Sequence, residues 1–366
     1  GPITNLEMRA WALFGPTVTA HIADVPPLVL PTASPITRPD AVLRVGGDEP
    51  RDRVFLKALE LAQVFAAQPS PDSKGPLLHV LETLSRLRPA EKPSYDELVT
   101  VGRLQREIHG LAANPANAEL AWVGSAIARF AETYSDGKTI TALCRENYSK
   151  ARGVRWKAHA DSYYGPEQAR ATYDVLRTAG FVPSADGPLR FVSAAANAGT
   201  HEAAFFERDA EVTPDRKGGR QFIVGDIAEV PRRTLPGPSF GPGFLHVRWD
   251  AHKLPLAANS IDIIWDRKGR TWFALRNDRL KDVAQTRSPL LALAVLQHYH
   301  ELLKPGGHVV LDAIEGIEAQ WEESTAAAIR TNAESGGVDL LSLIRSRFDV
   351  RFVGDGVTRC LVLTKR

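Results

Sequence analysis

Cysteine is scarce in this 366-residue chain, with only Cys144 and Cys360, far apart and in no CxxC pair or Cys/His cluster. That excludes a disulfide framework and a cysteine-based zinc site, and it fits a reducing, cytoplasmic compartment. No apolar run reaches the roughly 20 residues that a membrane-crossing helix needs, so no membrane partner is expected. Nor is one sign of charge in large excess. The 45 Lys/Arg stand against 43 Asp/Glu, a net +2, which excludes a polyanion binder by bulk charge. The balance is uneven, because residues 214–287 hold 14 Lys/Arg against 8 Asp/Glu. A solvated basic face is the commoner meaning of such an excess, and a wall for an acidic substrate is the competing one.

What is present changes character along the chain. Residues 1–45 are punctuated by proline ("VPPLVLPTASPITRP"), and proline lacks a donor and clashes with the preceding turn, so this is an extended arm rather than a helix. From Asp52 the period becomes helical. Val54, Leu56, Ala58, Leu59, Leu61, Val64 and Phe65 fall near one stripe. "GPLLHVLETLSRL" opens on Pro76, a helix-start residue, and Ser94 stands three residues before Glu97 at capping-box spacing. "NAELAWVGSAIARFAETYSDG" reads as one further amphipathic helix closed by Gly137. These segments predict a mainly α-helical domain over residues 46–150.

After Pro166, "EQARATYDVLRTAGF" is helical and closed by Gly180. Then short apolar runs take over: 189–195, 221–226, 244–250, 261–266, 308–314, "FDVRFVG" and "TRCLVLTKR". Helical patterns alternate with them, notably over 289–307. Alternation of this kind predicts an α/β domain over 151–366, with a mostly parallel seven-stranded sheet covered on both faces. The last two runs are separated by "DGV", which suits a hairpin and makes the last strand antiparallel.

Three of these runs end on an acid: Asp226, Asp250 and Asp266. Isolated strands do not need this. In an open parallel sheet, ligands bind outside the carboxyl ends of the strands, and carboxylates there suit hydroxyl and amino donors. The first run leads into "SAAANAGTHEAAFF", a tight loop of small residues that lets backbone approach a ligand.

Residues 155–366 resemble the class I S-adenosylmethionine-dependent methyltransferases. "HELLKPGGHVVLDAI" is similar to that family's helix–Leu-Lys-Pro-Gly-Gly–strand signature, and "VRWDAHKLPLAANSIDIIWD" to its Asp-Ala-x-x-Leu-Pro segment and fourth strand. The resemblance implies a Rossmann-like fold, S-adenosylmethionine as cofactor and S-adenosylhomocysteine as product. It implies that Asp226 and Ile227 meet the ribose and that Asp250 with Ala251 recognises adenine. Asp266 and Arg267 then border the methyl group. The loop at Ser193, Ala195, Asn197 and Gly199 lies beneath the amino-acid part. That loop departs from the family's acidic residue followed by Gly-x-Gly-x-Gly. Serine stands at the acidic position and one glycine of three survives, with Glu202 placed to compensate. His252, beside the adenine pair in sequence, is the candidate general base, with Asp266 the second catalytic candidate. Tyr163 or Tyr164 would close over the sulfonium by cation–π attraction, and Lys268 and Trp272 would meet the substrate.

The acceptor class is narrowed by exclusion. "DRKGRTW" after the fourth run is not the Asp/Asn-Pro-Pro-Tyr/Phe of base-nitrogen methylation, and no Pro-Cys occurs for cytosine C5 chemistry. "IIWDRKG" resembles a segment of thiopurine-type small-molecule methyltransferases. His298 and His300 are two apart on a helix, the wrong spacing for a metal pair, and no metal is expected. The expected function is methyl transfer to a small, acidic molecule, with oxygen ahead of nitrogen. Two readings stay open beside it: an RNA or protein methyltransferase, supported by the basic loops 216–220, 232–233 and 267–270, and a silent scaffold, motivated by the altered glycine loop. A homodimer through the helical domain is a further expectation.

Overall fold

The computed structural model describes residues 51–90, 93–134, 166–196, 199–226, 243–249, 254–267, 271, 289–312 and 340–366. The arm assigned to residues 1–45 lies outside them. Five helices open the described chain: α1 (Arg51–Ala67), α2 (Pro71–Arg86), α3 (Tyr95–Ala112), α4 (Ala118–Gly124) and α5 (Ile127–Tyr134). On α1 the buried stripe runs through Phe55, Ala58, Leu59 and Ala62, the spacing of one helix face. Leu56 and Val64, expected on that stripe, are instead 45% and 55% exposed, because Leu56 lies about 100° round the helix from Phe55 and Val64 about 180°, on the far side.

Helix α2 starts earlier than Pro76. The Ser70 side chain accepts from Ser73 N while Ser73 Oγ accepts from Ser70 N, so two orphan amides are satisfied and Pro71 takes the first helical position. Ser94 caps α3 as expected, accepting from Glu97 N at 3.0 Å. The Glu97 carboxylate does not complete a box. It accepts from Arg51 Nε (2.9 Å) and the Tyr134 hydroxyl (2.7 Å), tying α1, α3 and α5 together. Burial and the neighbouring carboxylate push the Tyr134 phenol up to about 12, so it stays a donor. The single helix expected from residue 117 breaks into α4 and α5 where Ser125 Oγ turns back to Trp122 O at 2.7 Å. Gly137 is outside the described residues.

The second half alternates as the pattern predicts: α6 (Pro166–Thr178), β1 (Leu189–Ser193), α7 (Thr200–Val212), β2 (Arg220–Asp226), β3 (Phe244–Arg248), β4 (Ile261–Trp265), α8 (Pro289–Leu302), β5 (Leu303–Asp312), α9 (Leu340–Arg345), β6 (Phe348–Val353) and β7 (Cys360–Lys365). The seven strands form one sheet in the order β3-β2-β1-β4-β5-β7-β6. Strands β1 to β5 are parallel, and β7 runs antiparallel to both its neighbours. Gly180 closes α6 at φ +81°, as its place in the sequence implies.

Two boundaries differ from expectation. Strand β5 begins at Leu303 rather than His308, because Leu303 pairs with Ile261 and the Lys304–Gly307 turn bulges out before His308 pairs with Ile263. The β6–β7 connection is Gly354–Arg359 with a 3-10 turn at Gly356–Thr358, longer than "DGV", because pairing stops at Val353 and Cys360.

Each face of the sheet is covered. Helices α6 and α7 bury Tyr173, Leu176 and Phe205 against Phe191, Phe222 and Trp265. The opposite face, through Val192, Ile223, Ile264 and Val309, meets α8. That second core does not stop at α8. It continues into α1–α5, with Trp122 edge-on to Phe348 and His300. At about 25 cal/mol per Å2 of apolar surface, a continuous core of this kind makes the bundle and the sheet stabilise one another.

Strand order decides where a ligand fits. The chain builds β1, β2 and β3 outward to one side and then returns to place β4 on the other side of β1. The crevice between β1 and β4, at their carboxyl ends, is the topological switch point.

Candidate functional site

The switch point is built from Ser193 at the end of β1, the loop to Gly199, and Asp266 and Arg267 just after β4. Backbone bonds fix the loop: Ala194 N donates to Trp265 O (3.3 Å), Ala196 N to Gly225 O (2.7 Å) and Gly199 N to Ala196 O (2.8 Å). Gly199 then opens α7 at φ +79°, and a Cβ there would stand 3.2 Å from Val224 Cγ2. This glycine is needed for its conformation and its room. Gly199→Ala is expected to cost about 1–2 kcal/mol, read as a lower denaturation midpoint with unchanged slope.

The turn at Gly199 brings Glu202 back under the loop. Ser193 Oγ donates to Glu202 Oε1 at 2.7 Å, and both side chains are buried. Desolvation raises the Glu202 carboxyl to about 7, opposed by the Ser193 hydrogen bond and by Arg267. Arg267 Nε in turn donates to Asp312 Oδ2 at 3.0 Å, at the end of β5. Burial also pushes the thiol of Cys360 upward, so it stays neutral; Cys360 faces Asp312 across the β5–β7 ladder.

Glu202 makes folding pH-dependent. Between about pH 4.5 and 7 the folded chain keeps a proton that the unfolded chain has released, so this group's contribution falls as pH rises and is lowest above 7. His300 and His308 act oppositely. Burial lowers both to about 4, so their contribution rises between about pH 4 and 6.5. Glu202→Gln is therefore expected to gain about 2–4 kcal/mol on the unmodified chain from pH 4.5 to 7.5, measured as the difference in urea-unfolding free energy between the two.

Asp266 reaches the switch point from the other face. It is buried, and its Oδ2 accepts from Thr271 N (3.0 Å), Thr271 Oγ1 (2.6 Å) and the Tyr299 hydroxyl of α8 (3.2 Å). Glu202 sits on the α7 side of the sheet edge and Asp266 on the α8 side, flanking the crevice. Trp249, after β3, lays its indole against Gly225 and donates from Nε1 to Ala194 O at 3.0 Å, making a floor across the ends of β1 and β2. Trp265 is core, edge-on to Phe191, as its strand position implies.

The structure thus brings together Ser193, Ala195, Gly199, Asp266 and Arg267. Asp226 ends β2 in register with Arg248, on the same edge of the sheet. The Asp226 side chain, and Asn197, Ile227, Asp250, Ala251, His252, Lys268, Trp272, Tyr163 and Tyr164, lie outside the described residues. His298 Nε2 accepts from Leu254 N at 2.8 Å. Among the described residues no group of three His, Cys, Asp or Glu is placed to hold a metal, and no helix is long and apolar enough to cross a membrane. The sequence pointed to neither Asp312 nor Tyr299. Both sit in runs that look apolar, and only the fold brings them to the crevice.

A seven-stranded sheet in this order, with the antiparallel last strand, is the Rossmann-like fold of class I S-adenosylmethionine-dependent methyltransferases. No protein-family model matches the sequence, and no curated protein matches it. Matching solved structures include the 1,6-didemethyltoxoflavin-N1-methyltransferase of Burkholderia thailandensis with bound 1,6-didemethyltoxoflavin and S-adenosylhomocysteine. It is 16% identical over 62% of this chain and 87% of that one, at a TM-score of 0.35. Another is a putative S-adenosyl-L-methionine-dependent methyltransferase of Methanococcus maripaludis, 11% identical over 63% and 96%, TM-score 0.33. An O-methyltransferase family protein of Burkholderia thailandensis is 12% identical over 86% and 94%, TM-score 0.30. At these values the likenesses add nothing to what the strand order shows.

Proposed function

We propose that the chain is an S-adenosylmethionine-dependent methyltransferase acting on a small-molecule acceptor, with transfer to oxygen ahead of nitrogen. The observation that carries this reading is the switch point itself. A loop of small residues ends β1, a left-handed Gly199 opens the next helix, and buried carboxylates flank the crevice on both faces. The residues fit the cofactor, because a buried carboxylate raised to about 7 is what an incoming cation would ionise and pair with. When bound, S-adenosylmethionine supplies a methyl group on a sulfonium, so the protein's task is alignment and the exclusion of water.

In this reading Ser193, Ala195, Asn197 and Gly199 lie under the amino-acid end, Asp226 and Ile227 meet the ribose, and Asp250 and Ala251 meet the adenine. Arg267, held by Asp312, borders the reacting end. Asp266, bound on Oδ2 by three internal donors, holds the post-β4 segment in place rather than touching the acceptor. His252 takes the proton of a hydroxyl acceptor, Lys268 and Trp272 line the acceptor side, and Tyr163 or Tyr164 covers the sulfonium. The local excess of basic residues suits an acidic acceptor. The helical bundle, sharing its core with the sheet, shapes that acceptor side.

A second reading, a scaffold without turnover, draws on Trp249 lying across the Ala194 carbonyl and Gly225. Titration calorimetry with S-adenosylmethionine and S-adenosylhomocysteine separates the two. Saturable heat at micromolar to low millimolar ligand is the expected result, and no heat at high concentration sinks the enzyme.

A further inference from the structure

We propose that Glu202, nine residues beyond the position where the family resemblance calls for an acid, is the carboxylate that receives the α-ammonium group of the methyl donor, and that it loses a proton to do so. The proposal rests on the methyl-donor reading and adds to it a residue and a proton.

Three features of the structure carry it. Position 193, at the carboxyl end of β1 and on the switch point, holds a serine, which cannot neutralise an ammonium group. The left-handed turn at Gly199 returns α7 so that Glu202 Oε1 lies 2.7 Å from Ser193 Oγ, which puts a carboxylate within one hydrogen bond of the vacant acidic position. Finally, structural reasons for burying Glu202 are few. Its side chain is held by a neutral hydroxyl, whereas two other buried carboxylates, Asp209 and Glu97, each accept from arginine.

The charged groups facing Glu202 are Arg267 from the segment after β4 and Asp312 from the end of β5. They act in opposite senses, Arg267 favouring the ionised form and Asp312 opposing it, and they are joined to each other at 3.0 Å. Burial outweighs both, so below about pH 7 the carboxyl is largely protonated without ligand. An ammonium group arriving at Ser193 reverses that balance. The carboxylic acid gives its proton to solvent, the carboxylate pairs with the ammonium, and no other bond is made or broken.

The test is proton linkage, read by titrating S-adenosylhomocysteine into the full chain in buffers of differing ionisation enthalpy. Release of close to one proton per ligand is expected at about pH 6, falling toward zero by about pH 8. An S-adenosylhomocysteine analogue lacking the α-amino group is expected to bind without that release. Glu202→Gln should weaken S-adenosylhomocysteine about 10- to 100-fold at pH 8 and abolish the linkage, and Ser193→Asp added to it should restore most of the affinity by returning a carboxylate to the family's position. Binding with no proton released at pH 6, or the same release with the amine-free analogue, overturns the role of Glu202 and leaves the methyl-donor reading standing. Absence of binding by the unmodified chain at every pH overturns both.

Discussion

Replacing Asp209 by asparagine is expected to cost about 3–5 kcal/mol of folding stability. Asp209, on α7, is fully buried. Its carboxylate accepts from Arg216 Nη2 (2.6 Å) and Nε (2.9 Å), from Arg220 Nε (2.6 Å) and from the Tyr173 hydroxyl (2.8 Å). Arg216 continues the network to the carbonyls of Pro183, Ser184 and Gly187, which pins the loop entering β1. Asparagine keeps the shape, but it removes the charge and turns an amide donor toward donors. The buried Arg216 guanidinium is then left without its counter-charge. The measurement is the urea midpoint at unchanged slope. A loss below about 1 kcal/mol would mean that the network is solvated and that the Arg216 guanidinium finds its compensation in water. Because Asp209 lies toward the amino ends of the strands, ligand binding at the opposite edge should persist at temperatures where the variant remains folded.

The second large effect is expected at Asp266. Asp266→Ala removes the acceptor of three donors, two of them from Thr271 and one from Tyr299, in a place with 2% exposure. Buried donors left without an acceptor cost about 1–3 kcal/mol each, less whatever they recover elsewhere, so about 2–4 kcal/mol in total is expected. Tyr299→Phe should remove part of the same energy, and the double variant should show a coupling of roughly 1 kcal/mol between the two sites. An acid that served only chemistry would show neither the stability loss nor the coupling. If Asp266→Ala unfolds at the same urea concentration as the unmodified chain, Asp266 returns to being a candidate for direct contact with the acceptor.

These two residues show what was legible in advance. The period change near residue 189, the Leu-Lys-Pro-Gly-Gly turn and Gly180 and Gly199 as punctuation announced the α/β half, because backbone needs are written in local sequence. Ser94 announced its own helix for the same reason. Pro76 misled, since the helix is capped six residues earlier, at Ser70, and a proline inside the second turn is tolerated there. Leu56 and Val64 misled because a stripe drawn too wide takes in residues that face water. Asp209 gave no signal at all. One acid among the charges of α7 becomes the hub of a buried network only once α6, α7 and the β2 entrance are packed together. At the site, Ser193 and Glu202 were legible as a departure and its remedy, and the hydrogen bond between them is what the fold adds. Arg267 was legible as a position after β4, but its partner Asp312 lies 45 residues away and is a product of strand order alone.

If the crevice between the carboxyl ends of β1 and β4 holds a sulfonium nucleoside, a crystal structure of the chain with S-adenosylhomocysteine will show it there. The expected pose has the nucleoside over the loop from Ser193 to Gly199, its amino-acid end beside Ser193 and Glu202, and the side chains of Asp226 and Asp250 on its ribose and adenine. A complex in which the ligand sits elsewhere and the crevice stays empty would rule that site out.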